Sequence, residues 1–247
     1  MTASSRRILR LSGADVRSFL QGLVTNNIDG IDDGLVYSAL LSPQGKYMAD
    51  FFLFAEGDDI LLDAEATQAD MLLQRLSMYK LRADVQIAAT DLHLHRGIDT
   101  PPADALPDPR HEALGWRAYR DTEQPEDTTD WPAIYVAHMI PQTGVELTPD
   151  TFILEMGFER LHGVDFRKGC YVGQEVTARM KHKTELRKGL AKVRLSGAAG
   201  TGTPIIADGK AAGTLLTRSG DEALAYLRFD RATAPMDAEG TTVTRLD

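Results

Sequence analysis

The sequence predicts an α+β fold that ends in a small all-β barrel. Before residue 186, strand-like runs alternate with amphipathic segments whose apolar residues recur at helical spacing. After about residue 188, short apolar runs are separated by glycine-rich turns at intervals of roughly 8–12 residues, which is typical of small β-barrels. We therefore expect two domains, residues 1–186 and residues 187–247.

The first elements follow from the spacing of apolar residues. Residues 8–13 form a predicted strand, and a helix with Val16 and Leu20 on one face begins after the turn that ends it. Strand-like runs at 35–41 and 47–54 flank a turn that contains proline and glycine, so we expect them to pair as a hairpin.

The same criteria assign the rest of the chain. Residues 99–130 are rich in Pro, Asp and Thr and are expected to be loops around one short strand. We expect Asp150 to cap a helix over 149–161, and 174–180 to be a helix or a strand. The remaining predictions are a helix at 68–79 and strands at 60–63, 85–89, 92–94, 116–119, 190–195, 204–206, 212–217, 223–228 and 241–246.

Composition limits the class of protein. The formal net charge is −9, and an acidic chain is a poor binder of nucleic acid, so no nucleic-acid partner is expected. We find no apolar run of membrane-spanning length and no secretory signal, and one cysteine indicates a reducing compartment, so a cytoplasmic protein is expected. The absence of heptads favours a monomer.

The single cysteine is the main candidate for chemistry. Cys170 lies between Gly169 and Gly173, and Arg167 and Lys168 precede it. Nearby cations favour the thiolate, which is the reactive form of cysteine. The alternative is a buried, inert thiol, which is the commoner state of a free cysteine.

Positive charge is concentrated around this thiol. Residues 167–188 contain seven Lys or Arg and two Glu, a net charge of +5 in an acidic chain. The segment indicates either a site for an anionic ligand or partner, or a solvated helix face with ordinary lysines.

No resident metal is predicted. His93 and His95 alternate along a predicted strand, but two histidines are too few for a zinc site. An iron–sulfur cluster usually takes four protein ligands, which one cysteine cannot supply.

Four motifs in chain order reveal a family resemblance. They are F-L-Q-G-L-V-T-N at 19–26, P-Q-G-K at 43–46, Y-K-L-R at 79–82 and K-G-C-Y-V-G-Q-E at 168–175, followed by A-R at 178–179. Together they resemble the YgfZ-type folate-binding proteins, relatives of the glycine-cleavage T-protein that act in iron–sulfur cluster assembly. The E-V-T-A-R continuation looks closest to the branch that alphaproteobacteria and mitochondria share. The motif residues around Cys170 are Lys168, Gly169, Tyr171, Gly173, Gln174, Glu175 and Arg179.

The resemblance implies a fold and a cofactor. The family forms a three-lobed ring of α+β and β modules, in which 1–186 would supply two interleaved lobes. Its T-protein relatives bind tetrahydrofolate, and three of their folate positions match Tyr37, Asp50 and Glu155. These residue types suit the ligand, because a carboxylate can accept two adjacent N–H donors of a pterin.

Two functions remain open at this stage. In the first, the protein binds tetrahydrofolate and helps to assemble or repair clusters on client or scaffold proteins, with Cys170 as its reactive thiol. In the second, it is a folate-dependent one-carbon transferase that uses Asp50. Gln174 and Glu175 are expected to support the cysteine loop, and Glu175 would pair with Arg179 if that segment is helical.

Overall fold

The chain divides into two units, each built around its own β-structure. The computed structural model describes residues 6–182, 186–233 and 235–246, so Lys183 and Glu185 of the basic segment lie outside the described residues. The first unit comprises Met1–Thr129 and Phe158–Val176, and the second comprises Asp130–Gly157 and Thr177–Asp247.

A five-stranded antiparallel sheet organises the first unit. Two helices, α1 (Val16–Gln21) and α2 (Ala66–Tyr79), bury Leu20, Leu72 and Leu76 in the same core as the sheet. The sheet has the order β2-β3-β4-β1-β5. Its strands are β1 (Arg6–Ser12), β2 (Val36–Leu41), β3 (Tyr47–Glu56), β4 (Asp59–Glu65) and β5 (Gln86–Ala89).

A second, smaller sheet completes this unit. It consists of β6 (His93–Gly97), β7 (Leu106–Pro107) and β8 (Trp116–Arg120) in the order β6-β8-β7. The predicted hairpin is confirmed, because β2 and β3 pair antiparallel with Tyr37 opposite Phe52.

The second unit contains the predicted barrel. Its six strands close in the order β10-β11-β12-β9-β14-β13, and alternate residues of each strand fill the interior. They are β9 (Lys188–Leu195), β10 (Pro204–Ala207), β11 (Lys210–Ser219), β12 (Glu222–Arg228), β13 (Met236–Ala238) and β14 (Thr241–Arg245). The barrel begins beside the expected boundary at residue 186, and two earlier stretches of the chain belong to the same unit.

The predicted helix at 149–161 is wrong. A 3-10 helix covers Ile153–Met156, and Gly157 ends it in the left-handed region with φ of 78°. Phe152, and not Asp150, occupies the N-cap position of this 3-10 helix. Ile153, Leu154 and Met156 are all buried and Gly157 follows directly, so the packing of this turn and the left-handed glycine end the helix after four residues.

Helix α3 (Trp131–Ala137) and the short strands β7 and β13 were not predicted. The helix follows a loop, and Asp130 caps it by accepting from the N–H of Ala133 at 3.1 Å. Asp followed closely by proline is a recognisable helix start, so its signal was present in the sequence. Strand β13 has only three residues, too few for an alternating pattern.

The segment after Cys170 is helical. Helix α4 spans Gln174–His182, which resolves the choice between helix and strand. No helix in the described ranges is both long enough and apolar enough to cross a lipid bilayer.

Candidate functional site

The hairpin of β2 and β3 orients the carboxylate of Asp50. The hydroxyl of Tyr37 donates to Oδ2 at 3.0 Å and that of Tyr47 donates to Oδ1 at 2.6 Å. Asp50 is only 4% exposed. Burial, with the adjacent Asp50 charge, raises the pKa of Tyr37 well above its ordinary value, so this phenol keeps its proton and remains a donor. Tyr37 and Asp50 are therefore hydrogen-bonded to each other.

A buried cluster of arginines lies behind this pair. The guanidinium carbons of Arg6, Arg110 and Arg117 lie 5.7, 4.9 and 4.0 Å from the ring centroid of Phe52. Arg6 and Arg117 each donate to Asp63 at 2.6 Å. Although burial acts to raise the pKa of Asp63, the two arginines hold it below its usual value.

The cluster reaches the Tyr37 ring through Arg110. Its guanidinium donates to both oxygens of Asp108, at 3.0 and 2.8 Å, and lies 5.4 Å from the Tyr37 ring centroid. Sequence reasoning missed this cluster because residues 99–130 were expected to be loops and arginine is rarely buried. The only local signal is the acid–base pair two residues apart, Asp108 and Arg110.

The loop that carries Cys170 is hydrogen-bonded to the N-terminal F-L-Q-G-L-V-T-N motif. The hydroxyl of Thr25 donates to the carbonyl of Gly163 at 2.7 Å, and the carbonyl of Thr25 accepts from the N–H of Asp165 at 3.1 Å. The side-chain amide of Asn26 donates to the carbonyl of His162 at 2.6 Å. The T-N pair of the F-L-Q-G-L-V-T-N motif therefore fixes the backbone that leads to the thiol.

Lys168 completes this attachment. Its ammonium group donates to the carbonyls of Val24 at 2.5 Å and Asn26 at 2.9 Å, and it lies 5.3 Å from the ring centroid of Tyr171. Lys168 is 7% exposed, whereas Cys170 is exposed. The lysine thus acts as an anchor for the loop, and its expected effect on the thiol stays a prediction.

Two glycines bring a second pair of motifs into contact. Gly45 of P-Q-G-K and Gly173 have φ of 74° and 83°. A Cβ atom on Gly173 would lie 2.7 Å from the carbonyl oxygen of Ser42, and one on Gly45 would lie 2.8 Å from Cβ of Val176. Both positions therefore require glycine, for backbone conformation and for space.

Helix α4 starts directly after this contact. The N–H of Gln174 donates to the carbonyl of Tyr171 at 3.2 Å. Glu175 lies in the first turn and Arg179 in the last, an arrangement that the helix dipole favours. Because the segment is helical, Glu175 and Arg179 are one turn apart, and their pairing stays a prediction.

Cys170 itself faces solvent. This excludes the buried, inert thiol that the sequence left open. Next to it, Pro43, Tyr79 and residues 171–175 line an open cleft of about 480 Å³. The described cations of the basic segment other than Lys168 are exposed; they are Arg167, Arg179, Lys181, Arg187 and Lys188.

Glu155 belongs to the second unit. The hydroxyl of Tyr226 donates to its Oε2 at 2.6 Å, and burial together with this carboxylate raises the pKa of Tyr226. Within the described residues this is the only hydrogen bond to the Glu155 carboxylate, so Oε1 remains available to a ligand. A half-buried carboxylate with an open oxygen fits the N–H donors of a pterin.

His95 has a structural environment. Its Nε2 lies 2.6 Å from the carbonyl oxygen of Thr122, and the residue is buried. Among the described residues, no group of three or more His, Cys, Asp or Glu side chains is arranged to hold a metal ion. The expectation of no resident metal stays a prediction.

Sequence comparison relates the chain to iron–sulfur cluster assembly factors. A family model for the CAF17 C-terminal β-barrel domain matches residues 187–246. The chain is 32% identical over 216 residues to the mitochondrial iron–sulfur cluster assembly factor IBA57 homolog of Mycosarcoma maydis, covering 74% of this chain and 54% of the relative. It is 29% identical over 278 residues to mitochondrial IBA57 of Mus musculus, covering 94% and 78%. The chain thus spans about half the length of the fungal relative.

Structural comparison confirms the predicted fold. The crystal structure of glycine cleavage system aminomethyltransferase T from Bartonella henselae matches with a TM-score of 0.77 and 12% identity, covering 98% of this chain and 83% of that chain. At this identity the likeness shows a T-protein-like fold and nothing finer.

The comparisons correct one prediction. A cytoplasmic protein was expected from the single cysteine and the lack of a visible signal. The relatives from Mycosarcoma maydis, mouse and human are all named as mitochondrial proteins, so the cytoplasmic assignment is wrong.

We predict that Gly173→Ala destabilises the protein by about 2–3 kcal/mol, because the alanine would be strained and would collide with the Ser42 carbonyl. Urea unfolding measures the change. Gly169→Ala is the matched control, since no atom lies within 4 Å of a Cβ at that position. Equal effects of the two substitutions would contradict the proposed contact.

We predict that the free energy of unfolding of the wild-type protein increases, relative to that of Lys168→Met, as the pH is raised. Burial lowers the pKa of Lys168 from 10.5 to about 8, although Asp165 and Asp29 oppose the shift. Between these values the unfolded chain binds a proton that the folded protein lacks, so the free energy of unfolding rises with pH. The difference between the two proteins should change by about 1–3 kcal/mol from pH 8 to 10.5. A difference that is constant with pH would rule out the lowered pKa.

Proposed function

We propose that this protein is a tetrahydrofolate-binding factor that assists the assembly or repair of iron–sulfur clusters, and that Cys170 is its working thiol. The observation that carries the proposal is an exposed cysteine on a loop anchored by Lys168 and by Thr25 and Asn26, in a chain whose homologues are iron–sulfur cluster assembly factors. The YgfZ-type motifs agree with this assignment.

A fixed, exposed thiol suits the transient handling of a cluster. Thiolates are the preferred ligands of iron–sulfur clusters, and four are usually needed. Cys170 is the sole cysteine of the chain, so a cluster that it touches must take its other ligands from a client or scaffold protein. The cluster is then cargo that passes between proteins. The anchored loop keeps the sulfur in one position for each transfer.

Tyr37, Asp50 and Glu155 are the proposed folate residues. A reduced folate, when bound, supplies a pterin that can carry a one-carbon unit. Two phenols orient the buried Asp50 carboxylate, so its charge is available at a defined place for a ligand nitrogen. The open Oε1 of Glu155 would accept from the pterin N–H groups.

One-carbon transfer is the second candidate function. It is favoured by the intact Asp50 with both phenol partners, in a fold that is shared with an aminomethyltransferase. In this case Asp50 would be the essential residue and Cys170 would be dispensable.

Complementation of cells that lack the native protein distinguishes the two functions. We expect Cys170→Ser to abolish the activity of a cluster-dependent enzyme, because serine is a poor ligand for iron–sulfur clusters. We expect Asp50→Asn to retain a part of that activity, and Gly169→Ala, beside the thiol, to behave like wild type. Loss with Asp50→Asn and full activity with Cys170→Ser would instead establish the transferase.

Isothermal titration with 5-formyltetrahydrofolate tests the cofactor separately. We expect Glu155→Gln to weaken binding about 10- to 100-fold, because a charge-assisted hydrogen bond becomes a neutral one. Glu126→Gln is the control, since Glu126 is exposed. If the wild-type protein does not bind this folate, the cofactor is removed from the proposal and the role of the thiol still stands.

A further inference from the structure

We propose that the C-terminal end of α2 is a docking surface for a protein partner that presents an apolar side chain flanked by carboxylates. We call it the α2-end surface and define it as Arg75, Met78, Tyr79, Leu81 and Arg82. The inference rests on the proposed function in one respect only, namely that the docked partner would lie beside Cys170.

Two large apolar side chains of this surface are exposed to solvent and are not part of the hydrophobic core. Met78 is 59% exposed and Leu81 is 87% exposed. Leu81 also has φ of 42°, a left-handed conformation that is unfavourable for a branched apolar residue. Single exposed apolar residues are common, but two that lie three positions apart, on either side in sequence of the cleft residue Tyr79, indicate an interaction site.

The cleft connects this surface to the thiol. Tyr79 packs against the core of the first unit together with Val172, and both line the open cleft described above. Tyr171 lines the same cleft, and the exposed Cys170 directly precedes it in the chain. A side chain inserted here would therefore bring its own protein up to the sulfur.

Charge indicates what kind of partner fits. Residues 71–83 contain Arg75, Lys80 and Arg82 and no acidic residue, in a chain of net charge −9. Arg75 and Arg82 are exposed, and no carboxylate within the described ranges forms an ion pair with either. By contrast, Arg7 pairs with Asp70 and Arg17 with Asp32.

These unpaired cations favour carboxylates over nucleic acid. Two free arginines are far fewer than the phosphate contacts that a nucleic-acid site uses, and the overall negative charge opposes such binding. A partner segment with an apolar side chain between Asp or Glu residues could pack that side chain against Met78 and Leu81 and pair its carboxylates with the two arginines. Electrostatic complementarity of this kind speeds association and selects the partner.

A displayed library of random peptides tests the surface with a defined probe. Selection is run against the wild-type protein and against Leu81→Glu/Arg82→Glu. We expect wild type to enrich peptides with an apolar residue between acidic ones. Their synthetic versions should bind the double variant at least about tenfold more weakly. Ile98→Glu/Lys210→Glu, which changes an apolar residue that is 54% exposed and an exposed lysine elsewhere, should bind as wild type does.

Three results would overturn the proposal. They are the absence of enrichment on wild type, enrichment of the same peptides on the double variant, and a consensus without acidic residues. Sedimentation with phosphatidylserine vesicles is run in parallel. Vesicle binding that Leu81→Glu/Arg82→Glu abolishes, without peptide binding, would assign the surface to a membrane instead. Both variants change exposed side chains, so their unfolding temperatures should stay within about 2 °C of wild type.

Alkylation of Cys170 separates this inference from the proposed function. We expect a bound peptide to slow alkylation of the thiol about threefold or more, since the cleft adjoins it. If peptides bind and slow alkylation while Cys170→Ser complements fully in cells, the surface stands and the thiol role fails. If wild type complements but no peptide is enriched, the surface fails and the function stands.

Discussion

The attachment of the Cys170 loop to the N-terminal motif is the constraint on which the candidate site depends. Thr25 donates to the Gly163 carbonyl across 138 positions of sequence, and Lys168 donates to Val24 across 144. Each of these buried bonds would cost about 1–3 kcal/mol if one partner were left unsatisfied. The exposed thiol can therefore hold one position although it lies on a loop.

In the motif around Cys170, several residues hold the backbone in place, whereas the side chain of Cys170 is exposed to solvent. Lys168 is buried against carbonyls, and Gly173 allows the backbone to pass Gly45 of the hairpin. Gln174 starts α4. Once these roles are assigned, Cys170 is the exposed side chain of the motif with chemical reactivity.

Unlike the exposed Cys170 thiol, the Asp50 carboxylate lies in a buried environment. It is oriented by Tyr37 and Tyr47, and Arg110 stacks on the ring of Tyr37. Buried charges of this sort are retained only when they are paired and hydrogen-bonded. The thiol is solvent-exposed and mounted on a loop, whereas the carboxylate is buried on a strand. Under the proposed function, this contrast would suit two separate tasks, namely exchange with another protein at the thiol and binding of a small molecule at the carboxylate.

The sequence by itself determined the helices α1 and α2, the β2–β3 hairpin and the barrel, because periodicity and turn residues are local properties. Tertiary structure decided the rest. It reduced the expected helix at 149–161 to one 3-10 turn, since Ile153, Leu154 and Met156 are packed in the interior and Gly157 adopts a left-handed conformation. It turned Lys168 inward and assembled the arginine cluster around Phe52. A charged residue is buried only where its partners meet it, and those partners lie far away in sequence.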